Sequence, residues 1–146
     1  MGKSRSWNNR GIIWKDNGTE NTIGMKVYIA GKVSDLPSWE VFIKFAQAEW
    51  WLKAGGHEVV NPLRLCSAGW DWAKCMRVCI TELVKCDAIC LLKDWGDSPG
   101  AVTEHYVASR LGMRVMVFIP KHGSLNGSVC RDAARRLSAA DKTEEL

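Results

Sequence analysis

Short apolar runs and longer segments of helical period take turns along residues 26–118 of the chain. The first run, "KVYIA" (26–30), is β-branched and aromatic and ends at Gly31, which predicts a strand followed by a tight turn. In "SWEVFIKFAQAEWWLKAGG", Phe42, Phe45, Ala46, Glu49, Trp50 and Lys53 recur at helical spacing. Ser38 is the expected cap, with the helix starting near Trp39 and stopping at Gly55-Gly56. "HEVVNP" reads as a second strand, closed by Asn61-Pro62, because proline cannot donate to a ladder. After the loop "PLRLCSAGW", the segment "DWAKCMRVCITELVKC" predicts a second helix, with Trp72, Met76, Cys79, Ile80, Leu83 and Val84 on one stripe. The nearly continuous apolar run "DAICLL" is typical of a strand covered on both faces. The loop "KDWGDSPG", a third helix "AVTEHYVASRLG" and a fourth strand "RVMVFI" complete the pattern.

Strands that alternate with helices imply an α/β fold, a parallel sheet of four or five strands with helices on both faces. Residues 25–120 form this domain. Residues 1–24 show no sustained period and read as a flexible arm; residues 121–146 read as a polar tail with a short helix around "CRDAARRLSAA".

The 146 residues suit one core, and 47% hydrophobic with 25% charged residues is ordinary globular composition. The net charge of +4 comes largely from the ends, through Lys3, Arg5, Arg10 and Lys15, and through Arg131, Arg135 and Arg136. The middle is close to balanced and carries no basic stripe, which argues against a nucleic-acid partner and leaves an anionic small molecule compatible. No secretory leader and no membrane span is read from the sequence. The expected location is therefore the cytoplasm, with all six cysteines reduced. Cys75 and Cys79 stand one helical turn apart, and Cys86 and Cys90 follow. Without a CxxC spacing the four read as core residues, and no metal is expected.

In parallel α/β sheets the ligand crevice lies beyond the carboxyl ends of the strands. This selects the loops "GKVSD", "NPLRLCSAGW" and "KDWGDSPG". Glu104 follows the last of them, where an acid either serves the helix dipole or faces a ligand. Ser98 either caps that helix or donates to a phosphate at its amino terminus, beside Gly100 and Ala101. Gly31 permits close approach of a ligand to backbone, and Lys32 either meets a phosphate or stays solvated. Trp95 is the tryptophan placed to stack on a base; Trp50, Trp70 and Trp72 read as packing. His105, next to Glu104, points about a third of a turn away from it. Neither GxGxxG nor a Walker ending is present, which excludes the dinucleotide fingerprint and the P-loop.

Four segments, "MKVYIAG", "GHEVVNP", "WAKCMRVCITELVKCDAICLL" and "WGDSPGAVTEHYVASRLGMRVMVF", resemble the small nucleoside 2-deoxyribosyltransferase-like proteins. Within that superfamily they are most similar to the DUF4406 branch, common in bacteria and their phages, over about residues 25–119. The motif S-P-G-A-x-x-E-H is the specific part. The resemblance implies a flavodoxin- or Rossmann-like three-layer sandwich, assembled as dimers or larger homo-oligomers. It further implies cleavage of the N-glycosidic bond of a nucleoside or nucleoside 5′-monophosphate, with no cofactor. Glu104 matches the family's nucleophile, Ser98 matches a serine that helps hold the 5′-phosphate, and the Gly31 turn matches the sugar-pocket lining. Where catalytically characterised relatives carry an aspartate, this chain has Cys79. The general acid is then expected from Asp97, Asp94 or a neighbouring subunit. The alternative is a protein that keeps the pocket and binds a nucleotide without cleaving it.

Overall fold

The structure, a computed structural model, describes residues 12–15 and 24–120. Residues 1–11 and 16–23 of the expected arm and the whole expected tail, 121–146, lie outside the described residues. Five strands form one sheet in the order β1-β5-β4-β2-β3. They are β1 (Ile12–Lys15), β2 (Lys26–Ala30), β3 (Glu58–Val60), β4 (Ala88–Leu91) and β5 (Arg114–Phe118). The last four are mutually parallel, as the alternation with helices requires. β1 is antiparallel to β5, with Ile12 opposite Phe118, so four residues from the segment read as an arm extend the sheet edge.

The helices are α1 (Ser38–Ala54), α2 (Trp72–Leu83) and α3 (Pro99–Arg110). The chain runs from β2 through α1 to β3, then crosses back over β2 through α2 to reach β4. This reversal places α1 on one face of the sheet and α2 with α3 on the other. Period-two alternation divides the strand residues between two cores. Val27 and Ile29 with Ala88 and Cys90 pack under Val41, Phe45, Ala48 and Leu52 of α1. Tyr28 and Ala30 with Ile89 and Leu91 pack under Cys79 and Leu83 of α2 and Ala101 and Ala108 of α3. The result is the three-layer sandwich of the Rossmann- and flavodoxin-like folds.

Several local expectations are corrected. Ser38 does not cap α1: it is the first helical residue, and Pro37 holds the cap position through its carbonyl, which accepts from the amides of Glu40 and Val41. The buried stripe of α1 is Val41, Phe45, Ala48, Glu49 and Leu52, so Trp50 points outward and is 50% exposed. Trp72 is 61% exposed because α2 packs through Cys79 and Leu83, a full turn or more beyond it; Val84, just past the helix end, is exposed too. Asp71 caps α2, accepting from the Lys74 amide at 2.8 Å. The six-thiol expectation also fails, since Cys66 and Cys75 are joined by a disulfide. Cys66, in the loop after β3, and Cys75, in the first turn of α2, have Cα atoms 5.4 Å apart, which is ordinary spacing for such a bond. Cys79, Cys86 and Cys90 are buried free thiols, as core packing predicts.

Candidate active site

The strand order reverses between β2 and β4, and the crevice expected at such a switch point lies beyond their carboxyl ends. Two loops leave there, one starting at Gly31 and one at Leu92. A single carboxylate joins them. Asp94 accepts from the Lys32 amide at 3.1 Å and is paired with Lys44 of α1, whose ammonium also donates to the Lys32 carbonyl. Asp94, one of the expected proton-donor candidates, is thereby engaged in the loop clamp. The Lys32 backbone is part of the same clamp.

The third helix starts earlier than its sequence pattern implies. Proline is favoured at the first helical position, where its missing N–H costs nothing, and Pro99 takes that place with Ser98 as cap. The Ser98 hydroxyl oxygen accepts from the Ala101 amide at 3.3 Å. Glu104 consequently falls in the second turn, beyond the reach of the dipole at the helix amino terminus. The dipole does not account for it.

Glu104 points into the sheet-facing side of α3, is 6% exposed, and accepts a 2.7 Å hydrogen bond from the Tyr28 hydroxyl on β2. Burial raises the Glu104 carboxyl to about 7, opposed only in part by the tyrosine bond. For Tyr28, burial first and the nearby Glu104 charge second push the phenol far above its ordinary range. It therefore stays protonated and remains a donor. The Cys79 thiol lies against the same phenol, and burial, the leading cause, raises its pKa as well.

Glu49 shows what a structural buried carboxylate looks like in this fold. It is 5% exposed, yet it is met by Arg64, by Lys53 at 2.9 Å and by the Asn61 side-chain amide at 3.1 Å. Burial alone would raise its pKa, but those three bonds hold it below the ordinary carboxylate range. They also pin the turn Pro62–Arg64 to α1. Among the described residues Glu104 has no ion pair. A carboxyl whose pKa is raised by burial and which is met by a single neutral donor has the pattern that singles out candidate functional groups, whereas Glu49 is a fastener.

The remaining candidates divide into those around Glu104 and those with a packing reason. Gly31 is buried, and a Cβ there would approach Leu92 Cδ1 to 2.7 Å, so its lack of a side chain serves close packing of the two loops. A Cβ on Gly100 would meet Met76 Sδ at 3.2 Å; glycine there lets α3 rest on α2. Ala101 is buried in the core shared by α2 and α3. Trp95 is half-buried with its ring 4.6 Å from that of His105, so it leans on α3. Asp97 is exposed on the 3-10 turn Trp95–Asp97, immediately before the Ser98 cap. Tyr28 is the residue that sequence reasoning missed. The signal was there: a tyrosine in the middle of a buried strand needs a partner for its hydroxyl, and period two put it on the same face as α3.

These features define a small doubly wound α/β protein with a sheltered, single-donor carboxylate beside its switch point. Residues 25–117 match the family model DUF4406, described as a domain of unknown function, and the chain belongs to that family. No curated protein matches the chain. No helix among the described residues is long and apolar enough to cross a membrane.

Proposed function

We propose that the protein cleaves the N-glycosidic bond of a nucleoside or nucleoside 5′-monophosphate, with Glu104 as nucleophile. The observation that carries this reading is the Glu104–Tyr28 pair at the switch point, unneutralised by any cation among the described residues. The resemblance of "SPGAVTEH" to the nucleoside 2-deoxyribosyltransferase-like motif supplies the substrate class.

Cleavage of a C1′–N bond builds positive charge on the sugar. A carboxylate oxygen near C1′ stabilises that charge and can close onto the carbon, giving a glycosyl ester that water or a second base resolves. Tyr28 occupies one carboxylate oxygen, Oε1, which fixes the rotamer and leaves Oε2 for the sugar. Protonation of the departing base falls to Asp97, the acid on the turn that leads into α3. Cys79 is a poor donor, since its thiol is buried and its pKa is raised. Ser98 keeps a hydroxyl proton for a 5′-phosphate while its oxygen caps the helix. Homo-oligomeric assembly and a cytoplasmic location belong to the same proposal.

The test is a panel of ribo- and deoxyribonucleosides and their 5′-monophosphates, with free base measured by chromatography. Wild type is expected to release base from at least one member. Glu104→Gln is expected to release it at least 100-fold more slowly, as for loss of a nucleophile. Equal rates in the two proteins would remove Glu104 from the chemistry. Saturable calorimetric binding with no base released over hours would assign a nucleotide-binding role instead, and a gain of turnover in Cys79→Asp would then mark a lost proton donor.

A further inference from the structure

Three sulfurs converge where the loop after β3 meets the first two turns of α2. Cys66, Cys75 and Cys79 have their Sγ atoms all within 4.8 Å of one another. Cys66 and Cys75 are bonded, and Cys79 Sγ is 3.7 Å from Cys66 Sγ. Cys86 and Cys90 are buried in the two cores away from this cluster, whereas Cys79 lies in the core under α2 with its sulfur turned toward the other two. Cys66 and Cys75 are only half-buried, at the edge of that core, with their sulfurs joined to each other.

We propose that, in its reduced form, this cluster is a binding site for one thiophilic divalent cation, Zn²⁺ being the best fit. A dithiol reductant opens the Cys66–Cys75 bond, giving two protein thiols and the oxidised, cyclic reductant. The cation then binds three thiolates and releases three protons to solvent.

The geometry suits a tetrahedral ion. With zinc–sulfur bonds of about 2.3 Å, thiolates on a tetrahedron stand roughly 3.8 Å apart, close to the Cys66–Cys79 separation. Cys75 and Cys79 are four residues apart and so share one side of α2, facing the loop that carries Cys66. Coordination draws each thiol to its charged form, which overcomes the effect of burial on Cys79. Three protein ligands leave the fourth position open to water or another small ligand. Disulfide and metal exclude each other, so the site exists only under reducing conditions. The proposal does not depend on the glycosidase reading, and its readout is binding rather than turnover.

The experiment uses the full chain carrying Cys130→Ser, reduced with a dithiol that is then removed without oxygen, and titrated with Co²⁺. A sulfur-to-cobalt charge-transfer band is expected, saturating at one ion per chain and bleached by Zn²⁺. Cys66→Ser, Cys75→Ser and Cys79→Ser are each expected to lose the band, Cys86→Ser to keep it, and the oxidised protein to show none. Because a variant can fail to fold, alkylation of the parent chain with and without Zn²⁺, mapped by peptide mass spectrometry, gives a second reading. Zn²⁺ is expected to protect Cys66, Cys75 and Cys79 together. Absence of the band, its survival in Cys79→Ser, or protection that spares any of the three would overturn the site.

Discussion

Glu104→Gln is expected to make the protein more stable at pH 8, by about 2 kcal/mol, while removing the activity assigned to it. A carboxyl raised from 4.5 to about 7 is opposed in its charged form by roughly 3 kcal/mol in the folded state. Glutamine abolishes that charge and keeps a carbonyl oxygen for Tyr28; its amide hydrogens, brought into a buried place, give part of the gain back. The direction with pH follows from linkage. Below pH 4.5 Glu104 is protonated both folded and unfolded, and the variant has no advantage. Between 4.5 and about 7 the folded state binds the extra proton, so wild-type stability falls as pH rises. Above 7 the penalty is complete. Thermal unfolding should show a variant advantage of roughly 6 °C at pH 8 that vanishes near pH 4. A variant that is less stable at pH 8 would mean that Glu104 is held by favourable partners as Glu49 is, and is a fastener.

Tyr28→Phe is expected to act in the opposite sense. It leaves the ring in the core but removes the hydroxyl that donates to Glu104 at 2.7 Å. A buried charge without its donor costs about 1–3 kcal/mol, most of it at pH 8, where Glu104 is ionised. The same loss raises the Glu104 pKa beyond 7, since the tyrosine bond is what restrains it. Carbon-13 NMR of labelled glutamate side chains reads this directly: the Glu104 titration should move alkaline by about one unit or more, with Glu49 unchanged. An unchanged Glu104 titration would show that Tyr28 does not control the carboxylate. Where turnover is measured, the acid limb of the rate profile is expected to follow the same shift.

The parallel strands could be read because each is a short apolar run bounded by a helix whose period differs from its own. The strand-end rule then located the Gly31 and Asp94–Ser98 loops before any side chain was placed. The start of α3 was legible too, in Ser98-Pro99-Gly100, but an apolar pattern beginning at Ala101 hid it, and two residues of difference moved Glu104 from one turn to the next. β1 was missed because a four-residue edge strand in a polar segment leaves almost no periodic trace. Side-chain pairing was the hardest to see. Tyr28 meets Glu104 across 76 residues, and Asp94 meets Lys44 across 50, distances over which sequence spacing carries no information. Cys66 joined Cys75 and Cys79 for the same reason: the loop that delivers it has no period of its own. Charge made the decisive distinction between Glu49 and Glu104. Both sit on helices and both are buried, and only the partners separate the ion-paired Glu49 from Glu104, which has a single neutral donor.

The central claim is that Glu104 forms a bond to the sugar. A 2′-fluoroarabino nucleoside 5′-monophosphate tests it most directly, because fluorine at C2′ slows both formation and breakdown of the glycosyl ester and lets it accumulate. Peptide mass spectrometry after incubation should find the sugar phosphate attached to the peptide containing Glu104, with free base released in equal amount and no adduct in Glu104→Gln. An adduct on another residue, or base released with no attachment to Glu104, would contradict the account.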